Sequence, residues 1–170
     1  MNTAGRALGL AWALALLGGC SASEDTSGTD AIWSDGSTQA SLTVKGGMQG
    51  FDEVFTYDRA NSSVRFVCQR FCYSNGTYQN DPMDFTVQLS ESDDEKVRGQ
   101  LAALGESEDR TRCYMDALDR VLVITSKKGG VTSYLDDSTA GCTGAPSSQP
   151  LISMEDVSAL QSVFEQLAFQ

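Results

Sequence analysis

The sequence predicts an α+β domain: an antiparallel sheet with two helices packed on it, braced by disulfides. Three observations carry this. Short runs of alternating apolar and polar residues recur between turn residues, two segments show helical spacing with capping signals, and four cysteines stand in the domain.

The elements are justified in order. Ser41 to Lys45, SLTVK, alternates and reads as a strand, broken by Gly46, Gly47 and Gly50. Val54 to Tyr57 is a second strand, closed by a turn through Asp58-Arg59-Ala60-Asn61. Ser63 to Cys68 is a third, with Val64, Phe66 and Cys68 on one face. Asn75-Gly76 is a turn signal between Tyr73 and Tyr78, and Phe85, Val87 and Leu89 mark a fourth strand. Ser92-Asp93-Asp94-Glu95 has the form of a capping box, and Val97, Leu101 and Leu104 then fall on one helical face that Gly105 ends. Tyr114 is expected to begin a second sheet region. Val121 to Thr125 is its buried strand, Lys127-Lys128-Gly129-Gly130 its turn and Val131 to Leu135 the returning partner. Gly141 to Gln149 reads as a loop. A last helix starts at Ser153 with Asp156 three residues on, and Val157, Leu160, Phe164 and Leu167 form its apolar face.

The N-terminus gives an address. Met1 to Arg6 carries one cation, Ala7 to Leu17 is an apolar run, and Gly18-Gly19 precede Cys20. A charged start, a short apolar middle and a small-residue exit describe a secretory signal; the apolar run is about half of what a membrane-spanning helix needs. Leu17-Gly18-Gly19-Cys20 resembles the lipobox of bacterial lipoproteins. The resemblance implies a diacylglyceryl group on the Cys20 sulfur, cleavage before Cys20 and acylation of the new amino group. Several acyl chains on one residue anchor a protein stably. Ser21 follows where lipoproteins retained at the inner membrane carry aspartate, which points to the outer membrane. The expected organisation is a signal peptide over 1–19, a lipidated Cys20 with a flexible tether over 20–40, and one domain over 41–170. The tether, rich in Ser, Asp, Thr and Gly, contains Ile32 and Trp33, read as a short edge contact with the domain.

Composition removes several functions. The chain of 170 residues has a formal charge of −11, and loss of Arg6 with the signal makes it −12. That argues against nucleic acid and anionic lipid headgroups as partners. Histidine is absent, which removes Ser-His-Asp and Cys-His catalysis and most zinc-enzyme sites. No cofactor or metal is expected, and the spacing of the cysteines is poor for zinc. Cys68, Cys72, Cys113 and Cys142 form an even set in an exported chain, so disulfides are expected. Three pairings are possible. A turn through Gln69-Arg70-Phe71 brings Cys68 within reach of Cys72, which favours that bridge and Cys113–Cys142, although sequence alone does not choose.

The site candidates follow from this frame. Arg65, Arg70, Tyr73 and Tyr78 fall near the first cysteine loop and suit a recognition surface for an envelope or secreted protein. Asp136 and Asp137, with Asp116 and Asp119 upstream, have the residue types of a cation site or acid–base pair, but aspartates beside strands are ordinarily turn residues. Lys45-Gly46-Gly47-Met48-Gln49-Gly50 resembles the Ser-Gly-Gly-Phe-Ala-Gly stretch of emfourin-type inhibitors of thermolysin-like metalloproteases. The later order of helix, hairpin and C-terminal helix is similar as well. The resemblance implies protease inhibition. Lysine and methionine replace that family's serine and phenylalanine, and the cysteines are additions. The expected activity is therefore protein binding from a lipid anchor, one form of it protease inhibition. The alternatives are an accessory subunit of an envelope assembly and a histidine-free carboxylate enzyme.

Overall fold

The structure, a computed structural model, describes residues 31–46, 50–74, 77–79, 81–115, 117–144, 146 and 148–170. Its strands are β1 (Ser37–Gly46), β2 (Phe51–Asp58), β3 (Ser63–Arg70), β4 (Cys72–Ser74), β5 (Thr77–Gln79), β6 (Met83–Gln88), β7 (Glu106–Ser107), β8 (Leu118–Ser126), β9 (Val131–Asp136) and β10 (Leu151–Ile152). The helices are α1 (Glu91–Ala102), the single turn α2 (Ala140–Thr143) and α3 (Met154–Ala168), with a 3₁₀ turn over Asp137–Thr139. Among the described residues no helix is long and apolar enough to cross a membrane.

Eight strands form one sheet in the order β6-β3-β2-β1-β8-β9-β10-β7, antiparallel except where β10 runs parallel to β9; β4 and β5 form a separate hairpin. The second sheet expected from Tyr114 onward is not separate: β8 pairs with the free edge of β1 from Gly46↔Leu118 to Ser37↔Ser126. The alternation of β1 explains its central place. Ala40, Leu42 and Val44 point to one face and are fully buried there, so a neighbour on each side is needed to complete the layer.

That layer continues through register partners. Leu42 lies between Phe55 and Leu122, and Phe55 next to Phe66. Phe164 of α3 stacks on Phe55 at 5.7 Å, and Phe169 meets Phe66 edge-on at 5.0 Å. Val157, Leu160, Phe164 and Leu167 are all buried, as their spacing predicts, and Ser153 caps α3 by accepting the Asp156 amide at 3.4 Å. Helix α1 covers the same face with Val97 and Leu101 buried. Its cap is Ser90 rather than Ser92: Ser90 Oγ accepts the Asp93 amide at 3.2 Å, the same three-residue spacing begun two residues earlier. The helix also stops at Ala103, before Gly105.

The domain begins earlier than residue 41. β1 opens at Ser37, and Ile32 and Trp33 are buried in the core. Trp33 lies 5.8 Å from the Tyr57 ring, and the Arg59 guanidinium covers it at 5.9 Å. The segment 31–40, expected as tether, therefore belongs to the domain. An aromatic and an aliphatic side chain supplied enough apolar surface to hold a stretch whose other residues are polar.

Candidate functional site

Strand register divides the sheet into two ends. At one end lie Ser37, Asp58, Ser63, Gln88 and Ser126; at the other, Gly46, Phe51, Asp52, Arg70 and Leu118. The described chain comes in at the first end, where Gly36 accepts the Lys127 amide and Ser34 accepts the Ser37 amide. Both disulfides are at the second. Cys68 and Cys72 are bonded, and so are Cys113 and Cys142, with Cα separations of 5.7 and 4.9 Å. This is the favoured pairing of the three that the sequence allows.

The first disulfide turns the chain out of β3 and into the β4–β5 hairpin. Between its cysteines Phe71 takes a left-handed backbone, φ 51°, which is costly for a bulky residue. Its ring is left 39% exposed. Arg70, at the end of β3, is exposed. Tyr73 and Tyr78 are register partners across the hairpin, while their side chains lie outside the described set. Arg65 is not with them. It sits five residues back on β3, on the face opposite the helices, where Nε and Nη2 clamp both oxygens of Asp84 at 2.9 and 2.7 Å. The clamp raises the Arg65 pKa and holds the Asp84 carboxyl below the usual carboxylate range.

The second disulfide pins a loop that leads into β8. Arg112 O accepts the Gly141 amide at 2.8 Å, and Ser138 O accepts the Tyr114 amide at 2.9 Å. A Cβ on Gly141 would stand 2.7 Å from Thr111 O, so the loop rests directly on glycine backbone. Arg112 reaches Asp109, Asp137 and Glu155 at 3.0, 3.5 and 3.2 Å. Asp109 is held below its usual pKa, first by the Thr111 amide and hydroxyl and then by Arg112. From this anchored base Tyr114 and Met115 project, 53% and 91% exposed, and Tyr114 O accepts the Ala117 amide to close the tip. Neither Phe71 nor Met115 is a candidate by sequence. A single apolar residue on a loop leaves no periodic signal, and only the fold reveals its exposure.

The carboxylates sort differently. Asp136 and Asp137 are buried and fully engaged. Asp136 accepts the Ser138 amide at 2.7 Å and Arg120 Nη1 at 3.0 Å. Asp137 accepts Ser107 Oγ at 2.6 Å and the Met154 amide at 3.0 Å, tying β7 to the start of α3. These are anchoring bonds at a sheet corner. Asp119 stands apart on the exposed side of β8, and Asp116 lies outside the described residues. So does Cys20, as do Gly47, Met48 and Gln49 of the glycine motif; Gly46 and Gly50 flank them at φ 97° and 72°.

The arrangement suits recognition by contact: loops pinned by disulfides and backbone hydrogen bonds, with projecting apolar side chains. No family model matches the chain, and no curated protein or solved structure matches it either.

Proposed function

We propose that the chain is a lipid-anchored, protein-binding module of a bacterial cell envelope that offers the disulfide-bearing end of its sheet to a partner. The observation that carries this reading is the gathering of Phe71, Tyr114 and Met115, all exposed, at the end of the sheet away from residue 31. β1 spans ten residues, so the two ends are about 30 Å apart. Ten residues separate Cys20 from the described domain, a reach of at most about 35 Å. A lipid on Cys20, as the lipobox resemblance implies, would leave the exposed apolar group pointing away from the membrane. Ser21, where inner-membrane lipoproteins of enteric-type bacteria carry aspartate, favours the outer membrane in an organism that has one. Isolated surface apolar residues are ordinary, but three on disulfide-braced loops at one end of the sheet offer a partner several apolar contacts.

The test is capture of host envelope and secreted proteins on the immobilised full chain, compared with a Phe71→Asn/Met115→Ser variant. Asparagine tolerates the left-handed backbone at 71. Loss of a specific captured protein with the variant supports the reading. Capture that is indifferent to the variant, or no capture, overturns it. A protease among the captured proteins favours inhibition, and an assembly component favours an accessory subunit.

A further inference from the structure

Beside the Tyr114–Ala117 tip a groove crosses from the exposed sheet face to the Cys113–Cys142 bridge. It consists of two cavities of about 350 Å³ each, continuous through Asp119 and Thr139, which line both. Thr43, Val121 and Leu135 line the first; Gly46, Tyr114, Met115, Ala117 and Cys142 line the second. Strand register makes the first floor continuous, since Thr43 partners Val121 and Val121 partners Leu135.

We propose that this groove holds an extended segment of the protein partner in which an aliphatic side chain and a lysine or arginine lie two residues apart, the cation meeting Asp119. The inference rests on the partner-binding reading above and adds the chemistry of the occupant. The charges on the walls select the cation. Lys45 lies 3.6 Å from Asp52, and Arg120 binds Asp136 at 3.0 Å and Gln161 at 2.7 Å. Both cations are thus occupied within the fold. Asp119, the register partner of Lys45, makes no ion pair among the described residues and sits where the two cavities join. The chain's charge of −11 draws the same sign of partner at longer range. An extended chain puts alternate side chains on one side, about 7 Å apart, which places one in the Val121–Leu135 cavity and the next at Asp119.

The probe is a peptide labelled at its amino end, fluorescein-Gly-Leu-Ser-Lys-Ser-amide, titrated against the full chain by anisotropy, with Leu-Ser-Glu-Ser in the same frame as its counterpart. The lysine peptide is expected to bind at least tenfold more tightly. Asp119→Asn should weaken it at least fivefold, while Asp35→Asn, which removes an exposed carboxylate of the same charge at the opposite end of the sheet, should change it less than twofold. Absence of binding, equal losses in both variants, or competition from self-association of the chain would each overturn the proposal. Partner capture separates the two ideas. If Asp119→Asn still captures a protein that the Phe71/Met115 variant loses, the groove inference fails and the module reading stands.

Discussion

Tyr57 Oη donates to Asp94 Oδ1 at 2.7 Å inside the core, joining the second strand to the first helix across 37 residues. Arg98, one turn on, holds the other carboxylate oxygen at 2.5 Å, so a buried charge is matched on both sides. Tyr57→Phe removes one donor and leaves Oδ1 unsatisfied. The expected loss is about 1.5–3 kcal/mol, measured by urea denaturation. Asp94→Ala should cost more, because it strands both the hydroxyl and the guanidinium.

The same contact makes an alkaline prediction. Burial first, and then the bond to Asp94, push the Tyr57 pKa above its usual value. The folded state therefore keeps a proton that the unfolded chain gives up near pH 10. The Tyr57 contribution is fully present below pH 10 and is lost as the pH rises beyond it. A denaturation series from pH 8 to 11.5 should show stability falling above pH 10, with a shallower fall in Tyr57→Phe.

At the acid side the loop beneath Met115 should loosen first. Asp109 and Glu155 are both held below their usual pKa, by backbone and hydroxyl donors and by Arg112. Lowered carboxylates contribute above about pH 4 and lose that contribution as pH falls through their folded values. Hydrogen exchange at the Thr111 amide, bonded to Asp109 at 2.9 Å, should accelerate below pH 4 while the amides of β1 stay protected.

Gly141→Ala should destabilise by about 1–3 kcal/mol, since the added methyl meets carbonyl oxygens at 2.7 and 2.9 Å that are themselves fixed by hydrogen bonds and a disulfide. The variant should also weaken partner capture by moving Tyr114 and Met115, whereas Gly105→Ala, in open space, should leave capture unchanged.

The two disulfides should differ in worth. Cys113 and Cys142 close 29 positions, against 4 for Cys68 and Cys72. Chain-entropy arguments give about 3.5 and about 2 kcal/mol respectively. Replacing each pair by serine and comparing denaturation midpoints tests the ratio.

Most of the fold is legible in the sequence where a pattern is long. Val157 to Leu167 repeats its apolar spacing over three turns, and Ser41 to Lys45 alternates across a strand with Leu42 and Val44 on its buried face; both appear as expected. Short and non-local features are not legible. β7 and β10 are two residues each: β10 adds to the edge of β9, and β7 then adds to β10. Trp33 reads as a short edge contact from a polar tether, and its burial shows only once Tyr57 and Arg59 are brought beside it from 24 and 26 positions away. Of the recognition candidates, Arg70, Tyr73 and Tyr78 share the first disulfide's end of the sheet, whereas Arg65 is taken up by Asp84, because alternation sends it to the open face. Asp119 is visible as an acidic residue, but that it makes no ion pair among the described residues depends on where Lys45 and Arg120 find theirs.

The placement of β8 against β1 also sets an order of events during folding. β1, β2, β3 and β6 are neighbours in sequence as well as in space, so they can zip together from local turns. The other flank of β1 must wait for residues 118–126, about eighty positions later, and until then Ala40, Leu42 and Val44 have neighbours on one side only. Closing so long a loop is slow, and an open strand flank in the meantime invites pairing with another chain. The arrival of the Leu118–Ser126 segment is the step that ends this vulnerability. Substitutions at Leu122 should therefore slow refolding and raise aggregation yields out of proportion to their effect on equilibrium stability.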